Sequence, residues 1–264
     1  MRVLLLSVFL ISPALAIDLK DDYGQEVVLP APARRIVSLA PHLTELAYAA
    51  GAGARLVGAV DYSDYPEDAR RLPRVGSDAR IDLEAVLALH PDLVIAWPNA
   101  GTRRAVDRLA ELGIPVYRSE PRELEDIPRT IEKLAALAGT SSSAADEFRA
   151  RAAALKARYS GKAPVRVFYQ VWERPLQTVN GEHVISKVIR LCGGENVFAD
   201  LAQIAPLINR EVLLRARPEV VVTSVPGVEG ARYIPGDLIQ RHTPRLLEGA
   251  HRLCEILEEV RSAR

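Results

Sequence analysis

Short unbroken apolar runs alternate along this chain with stretches whose apolar residues recur every three to four positions. The runs at 35–39 (RIVSL), 56–60, 116–118 and 165–171 (VRVFYQV) predict strands. Between them 44–50, 102–112, 124–138 and 184–191 predict helices, stopped in turn by Gly51 and Gly53, Gly113, Gly139, and Gly193-Gly194. A small hairpin is expected over 17–30, turning near Tyr23-Gly24, and a closing helix over 244–260.

One phrase occurs twice. DLEAVLALHPDLVIAW at 82–97 aligns without a gap on NREVLLRARPEVVVTS at 209–224, with Glu84 on Glu211, Leu87 on Leu214, Pro91 on Pro218 and Val94 on Val221. Each copy reads as a polar start, a two-turn helix, a turn set by proline and an acid, and an apolar strand. The repeat predicts two similar α/β lobes. Strands alternating with helices predict mainly parallel sheets covered on both faces, in two Rossmann-like lobes.

A long helix at 143–159, SAADEFRARAAALKARY, lies between the two copies. Phe148, Ala152, Leu155 and Tyr159 form its apolar stripe, and Ser143 with Asp146 reads as a capping box. At 1.5 Å per residue it reaches about 25 Å, enough to join two lobes. The expected organisation is a leader over 1–16, a first lobe over 17–140, the interlobe helix within 141–161 and a second lobe over 162–264. A tight turn is expected at Asn180-Gly181. After Ser224 only residues 225–232 precede the next apolar pair, Tyr233-Ile234. A parallel crossover normally needs a dozen residues or more, so either a helix is missing there or those strands are not parallel neighbours.

Composition changes the picture in three places. Lys and Arg together equal Asp and Glu at 34 each, so no basic excess points to nucleic acid. Arg2, the apolar run 3–11, Ser12-Pro13 and Ala14-Leu15-Ala16 read as a cleavable secretory signal, with no Cys at the cleavage point to carry a lipid. Export then bears on Cys192 and Cys254, the two cysteines of the chain. An oxidising compartment favours a bridge between them, which would close a loop worth on the order of 4 kcal/mol; two buried thiols are the alternative.

Candidate chemistry is sparse. Gly51-Ala52-Gly53 begins like a dinucleotide fingerprint, but Leu56 stands at the third glycine position and the motif follows a helix. No nucleophile elbow, phosphate-binding loop or HExxH motif is present. His42 is placed in a loop after the first strand of the sheet, a crevice position in α/β folds, with a surface or capping role as the plainer reading. Tyr62, Tyr65, Trp97 and Trp172 all fall near strand exits, where aromatic walls suit a large flat ligand. Glu84 and Glu211 sit near matched helix starts, where an acid complements the helix dipole.

RIVSLAPHLTELAYAAG at 35–51, DYSDYP at 61–66, the 82–97 phrase, LCGGENVF at 191–198 and PRLLEGAHRLCEIL at 244–257 together carry a resemblance. The chain resembles the helical-backbone class of periplasmic substrate-binding proteins, and within it the family that binds cobalamin for vitamin B12 import. That resemblance implies a protein without catalysis or cofactor, monomeric when free. It would capture a corrinoid and deliver it to the permease dimer of an ABC importer in the inner membrane. It implies ligand contacts at His42, Tyr62 and Trp97, with Asp237 and Arg241 reaching in from the second lobe; Trp172 is added to that set as the second lobe's strand-exit aromatic. It further implies permease docking through Glu84 and Glu211, and a disulfide between Cys192 and Cys254. Asp78 and Ala205 stand where tryptophans are expected, and the segment after Ser224 is short by roughly a helix. A haem or ferric-siderophore binder of the same class is the neighbouring reading. An exported α/β enzyme using His42 and Asp237 as an acid–base pair is the distant one.

Overall fold

The computed structural model describes residues 16–77 and 79–264; Asp78 and all but the last residue of the leader expected over 1–16 lie outside them. Two four-stranded sheets, each wholly parallel, organise the chain. The first is built from β3 (Ile36–Ser38), β4 (Leu56–Ala59), β5 (Leu93–Ala96) and β6 (Val116–Arg118), in the order β4-β3-β5-β6. The second uses β7 (Val165–Gln170), β8 (Gly194–Asn196), β9 (Val220–Thr223) and β10 (Arg232–Tyr233), in the order β8-β7-β9-β10. The antiparallel hairpin β1 (Ile17–Lys20) and β2 (Glu26–Leu29) precedes them.

The repeat holds down to individual hydrogen bonds. Its helices are α2 (Leu83–Ala88) and α7 (Arg210–Ala216). The caps match: Asp82 accepts from the Ala85 amide and Asn209 from the Val212 amide, each satisfying a free donor of the first turn. Both helices end through a left-handed residue ahead of proline, His90 at φ 46 and Arg217 at φ 45. The acid after each proline then takes a backbone amide of the neighbouring strand. Asp92 accepts from Arg35 N at 2.9 Å, and Glu219 from Arg166 N at 2.8 Å. Those two arginines return the contact, Arg35 to the Leu89 carbonyl and Arg166 to the Ala216 carbonyl, each at 2.6 Å. Each unit thus pins its helix end to its strand through one acid and one arginine. This explains why Pro-Asp and Pro-Glu recur at the same place.

The lobes differ where the sequence is short. In the first, α3 (Arg103–Glu111) crosses from β5 to β6. In the second, residues 224–231 run from β9 to β10 with no helix, and the two strands are still parallel neighbours, Arg232 opposite Val222. The crossover helix is missing without loss of the parallel pairing. β10 is correspondingly reduced to two exposed residues.

Several expectations need correction. The 41–43 segment is helical: α1 spans Pro41–Ala49, because Pro41 sits at the first turn, where its fixed φ suits a helix and its missing N–H costs nothing. His42 is therefore on a helix and buried, not in a loop. The Ser143–Asp146 capping box is absent. Ser143 has already entered helical geometry and its hydroxyl bonds Glu147, while the Ser142 hydroxyl accepts from the Ala144 amide. Asn180-Gly181 makes the tight turn expected there, and it leads directly into α6 (Val184–Leu191), with the Asn180 side chain accepting from Glu182 N. β8 lies within the stretch expected only to stop a helix. Gly194 pairs with Val165 in the sheet, and the position takes glycine because a Cβ there would stand 2.7 Å from Leu257 and 2.8 Å from Ile189.

Alternate residues on the first sheet feed separate cores. Ile36, Leu93 and Ile95 face a large cluster that continues through α4 (Asp126–Ala138), α5 (Ala144–Tyr159), α6 and α9 (Leu246–Ser262). Val37, Val94 and Ala96 face a smaller one with Val106 and Leu109 of α3. The continuous cluster makes α5 the apolar bridge between the lobes: Phe148 and Tyr159 are both buried in it. Cys192, at the end of α6, is bonded to Cys254 of α9, 62 residues on. A one-turn helix, α8 (Gly236–Ile239), packs on α9 at Gly249, where a Cβ would stand 2.2 Å from the Leu238 carbonyl. Among the described residues no helix is long and apolar enough to cross a membrane.

Candidate functional site

The strand exits of the first lobe converge on the start of α1. β5 delivers Trp97, which is 40% exposed. Its ring meets His42 edge-on, centroids 5.7 Å apart, and His42 in turn meets His242 of the second lobe at 6.3 Å. The Nε2 atom of His42 is buried with no hydrogen-bond partner. Burial first, then repulsion from His242 and the Arg241 guanidinium, holds the His42 pKa down to about 3. His242 is lowered to about 4 by burial and by His183, against an opposing pull from Asp126. His42 is thus a neutral imidazole joining an exposed tryptophan to the opposite lobe.

Beside this aromatic contact lies a charged one. Glu45, one turn along α1, has a side chain only 2% exposed. It accepts from Arg245 Nε at 2.9 Å and from Arg241 Nη1 at 2.9 Å, both from the second lobe. Arg241 also reaches Asp64 of the first lobe at 3.0 Å and Asp237 at 3.0 Å. Burial works against the charge of Arg241, but the carboxylates outweigh it and its pKa is raised. The Asp64 carboxyl, opposed by its own burial, is held low by that same guanidinium. Arg241 donates as well to the Tyr62 carbonyl, and Tyr62 sits at φ 62, a conformation a bulky residue adopts only where its surroundings impose it. Its side chain projects to solvent, 73% exposed. The Arg245 guanidinium covers the Tyr65 ring at 3.9 Å.

Of the residues singled out in the sequence, His42, Trp97, Tyr62, Asp237 and Arg241 come together at the facing edges of the lobes. The short segment after Ser224 does not displace Asp237, which opens α8 one turn before Arg241. Trp172 stands apart, 61% exposed two residues beyond β7, tied by backbone to Gln177, which bridges on to Leu207. Leu207 and Ile204 are 61% and 60% exposed, and Ala205 is exposed beside them. Glu84 and Glu211 lie elsewhere, exposed in the first turns of α2 and α7. Glu211 is paired with Arg215.

Sequence reasoning missed Glu45, Asp64, His242 and Arg245. A signal existed for Glu45. It is the one acid in PHLTELAYA, set among Leu43, Leu46 and Ala47 on a helix with no Lys or Arg of its own. A buried acid there requires a partner from elsewhere in the fold. The partners could not be named, because they lie about 200 residues downstream.

The family model for periplasmic binding proteins matches residues 36–244. A vitamin B12-binding protein of Vibrio parahaemolyticus is 39% identical over 254 residues, covering 88% of this chain and 92% of its own. Among solved structures, the periplasmic vitamin B12 binding protein BtuF of Vibrio cholerae superposes with a TM-score of 0.80 at 37% identity, over 87% of this chain and 98% of that one. The periplasmic heme-binding protein RhuT from Roseiflexus sp. RS-1 superposes at 0.73 with 23% identity, over 86% and 99%.

Proposed function

The chain belongs to the periplasmic binding protein family, and from that premise we propose that it captures cobalamin or a closely related corrinoid and hands it to an ABC importer, performing no chemistry itself. The observation that carries the ligand class is the 39% identity, across most of both chains, to a protein named for vitamin B12. The haem reading rests on 23% identity, a level that speaks for the fold alone.

The geometry supports the reading. A corrinoid is a broad, flat macrocycle rimmed with amides. Trp97 and Tyr62 offer aromatic surface from the first lobe, while Asp237 of the second, with a half-exposed carboxylate, can accept from an amide N–H; Trp172, set apart from this cluster, is proposed as a further aromatic contact. Arg241 serves both lobes, so a ligand seated on Asp237 also feels the contact that holds them together. The continuous core through α5 supports a limited range of closure.

The proposal extends to organisation and partner. The leader is removed after Ala16, residues 17–140 and 162–264 form the two lobes, and 141–161 holds the joining helix. The mature protein is a monomer that docks on a permease dimer through Glu84 and Glu211. An absorbance titration tests the ligand. Purified protein mixed with cobalamin, haem or a ferric siderophore and then gel-filtered should retain the corrinoid spectrum. Retention of haem or siderophore with loss of cobalamin would overturn the assignment.

A further inference from the structure

We propose that Leu87 and Leu214 are matched apolar anchors that seat this protein on a two-fold-symmetric permease, one leucine beside each docking acid. The proposal rests on the reading of Glu84 and Glu211 as docking acids.

Leu87 and Leu214 occupy the same position of the repeat, three residues after the acid. At that spacing a helix puts both side chains on one face. Leu87 is 38% exposed and Leu214 76%. A single exposed leucine is ordinary on a protein surface. Two at equivalent positions, in lobes whose sequences otherwise agree at few places, are less easily set down to chance. Both helices are short, and α7 has no fully buried residue although its sequence, REVLLRA, holds three large aliphatic side chains.

The missing crossover helix accounts for part of this exposure but not for the leucines. Val212 is 38% exposed, whereas its counterpart Ala85 packs against the first lobe's outer core; that difference follows the loss of cover. Leu87 belongs to the lobe that keeps α3, and it is exposed all the same. Its outward position is therefore a property of the repeat and not of the deletion.

The pair of acid and leucine defines the partner's chemistry. Each permease subunit should present a cation next to an apolar socket, and two such sites related by a two-fold axis fit two lobes that carry the same face. Interfaces of this kind place an apolar anchor inside a charged rim, and covering the leucine supplies what a solvent-exposed ion pair cannot. Glu211 enters with Arg215 already on it, while among the described residues Glu84 has no ion-pair partner. The second lobe's acid must exchange partners on docking.

The test uses the mature, disulfide-bonded, cobalamin-loaded protein and the importer of the same organism in nanodiscs, with docking read by surface plasmon resonance. Leu87→Ser and Leu214→Ser should each weaken docking by about tenfold, the size expected for uncovering one leucine. The double variant should lose far more, because two contacts on one rigid body reinforce each other. Its salt dependence should match the parent's, and Leu87→Met with Leu214→Met should restore binding. Cobalamin titration of the free variants should be unchanged, and circular dichroism should show each of them folded at the temperature of the docking measurement. Docking of the double serine variant within about twofold of the parent would overturn the anchors. Abolition by Glu84→Arg with Glu211→Arg in that same experiment would show that the acid reading survives. If the charge reversal also left docking intact, the acid reading itself would fall. A change from dimer to monomer on serine substitution would assign the face to a second copy of this chain and overturn the proposal.

Discussion

Replacing Glu45 by Gln should loosen the contact between the lobes. The carboxylate is 2% exposed and answers to two guanidiniums whose side chains are only 16% and 15% exposed. Arg241 keeps Asp64 and Asp237 after the change, both at 3.0 Å. Arg245 makes no other direct ion pair among the described residues and retains its contact over Tyr65 and the longer-range pull of Asp237. Removing one partner of a buried pair leaves an uncompensated charge and costs about 3–5 kcal/mol. Glutamine preserves one acceptor and the Arg241 side has other anions, which places the expected loss near the lower end, about 3 kcal/mol. Urea unfolding followed by circular dichroism reads this as a shift of midpoint at unchanged slope. Glu132→Gln is the matched control. Glu132 also meets an arginine, Arg149, but its side chain is 50% exposed and the pair should be worth at most about 1 kcal/mol. A Glu45→Gln loss below about 1 kcal/mol would refute the reasoning, because the cluster would then behave as a surface pair despite its burial.

Trp97→Ala should weaken cobalamin binding by about 1–3 kcal/mol in a fluorescence or calorimetric titration while leaving the unfolding midpoint nearly unchanged, since the ring is a partly exposed strand-exit group. Equal affinity would move the ligand elsewhere. Thiol labelling of unfolded, unreduced protein should find no free cysteine, and the Cys192→Ala/Cys254→Ala variant should lose about 4 kcal/mol, the loop-entropy value for a bridge spanning 62 residues. His42, His183 and His242 have folded pKa values of about 3, 4 and 4, all below the ordinary 6.5. The unfolded chain therefore binds protons that the native state refuses, and stability falls as pH drops from about 6.5 toward 4, by up to about 1.4 kcal/mol per pH unit for each histidine. His242→Asn should flatten that slope by about one histidine's share in urea midpoints measured across the window; an unaltered slope would show that His242 is not held neutral.

The alternation of strands and helices and the repeat were legible in the chain because each rests on local chemistry, and the cysteine pair was legible because an exported chain with two cysteines has one pairing open to it. Asp82 and Asn209 cap their helices from three residues away, and the Pro-acid turns close within the unit. The repeat even forecast the equivalence of Asp92 and Glu219, whose strand contacts match bond for bond. Trp97, Tyr62 and the Asp237–Arg241 pair were visible through spacing and resemblance. Their mutual placement was not.

The sequence by itself determined two parallel α/β lobes, a joining helix and a shortened second half. Only the tertiary structure decided what the lobes do to each other. His42 left the loop reading for a buried helix start and gained His242 as a neighbour. Glu45 gained Arg241 and Arg245, nearly 200 residues away. β8 arose because pairing and close packing accept Gly194 where local propensity signals a stop. Helix caps and strand runs draw their free energy from neighbours in sequence. A buried charge or an unpartnered imidazole draws it from whatever the fold brings opposite, and no local pattern records that.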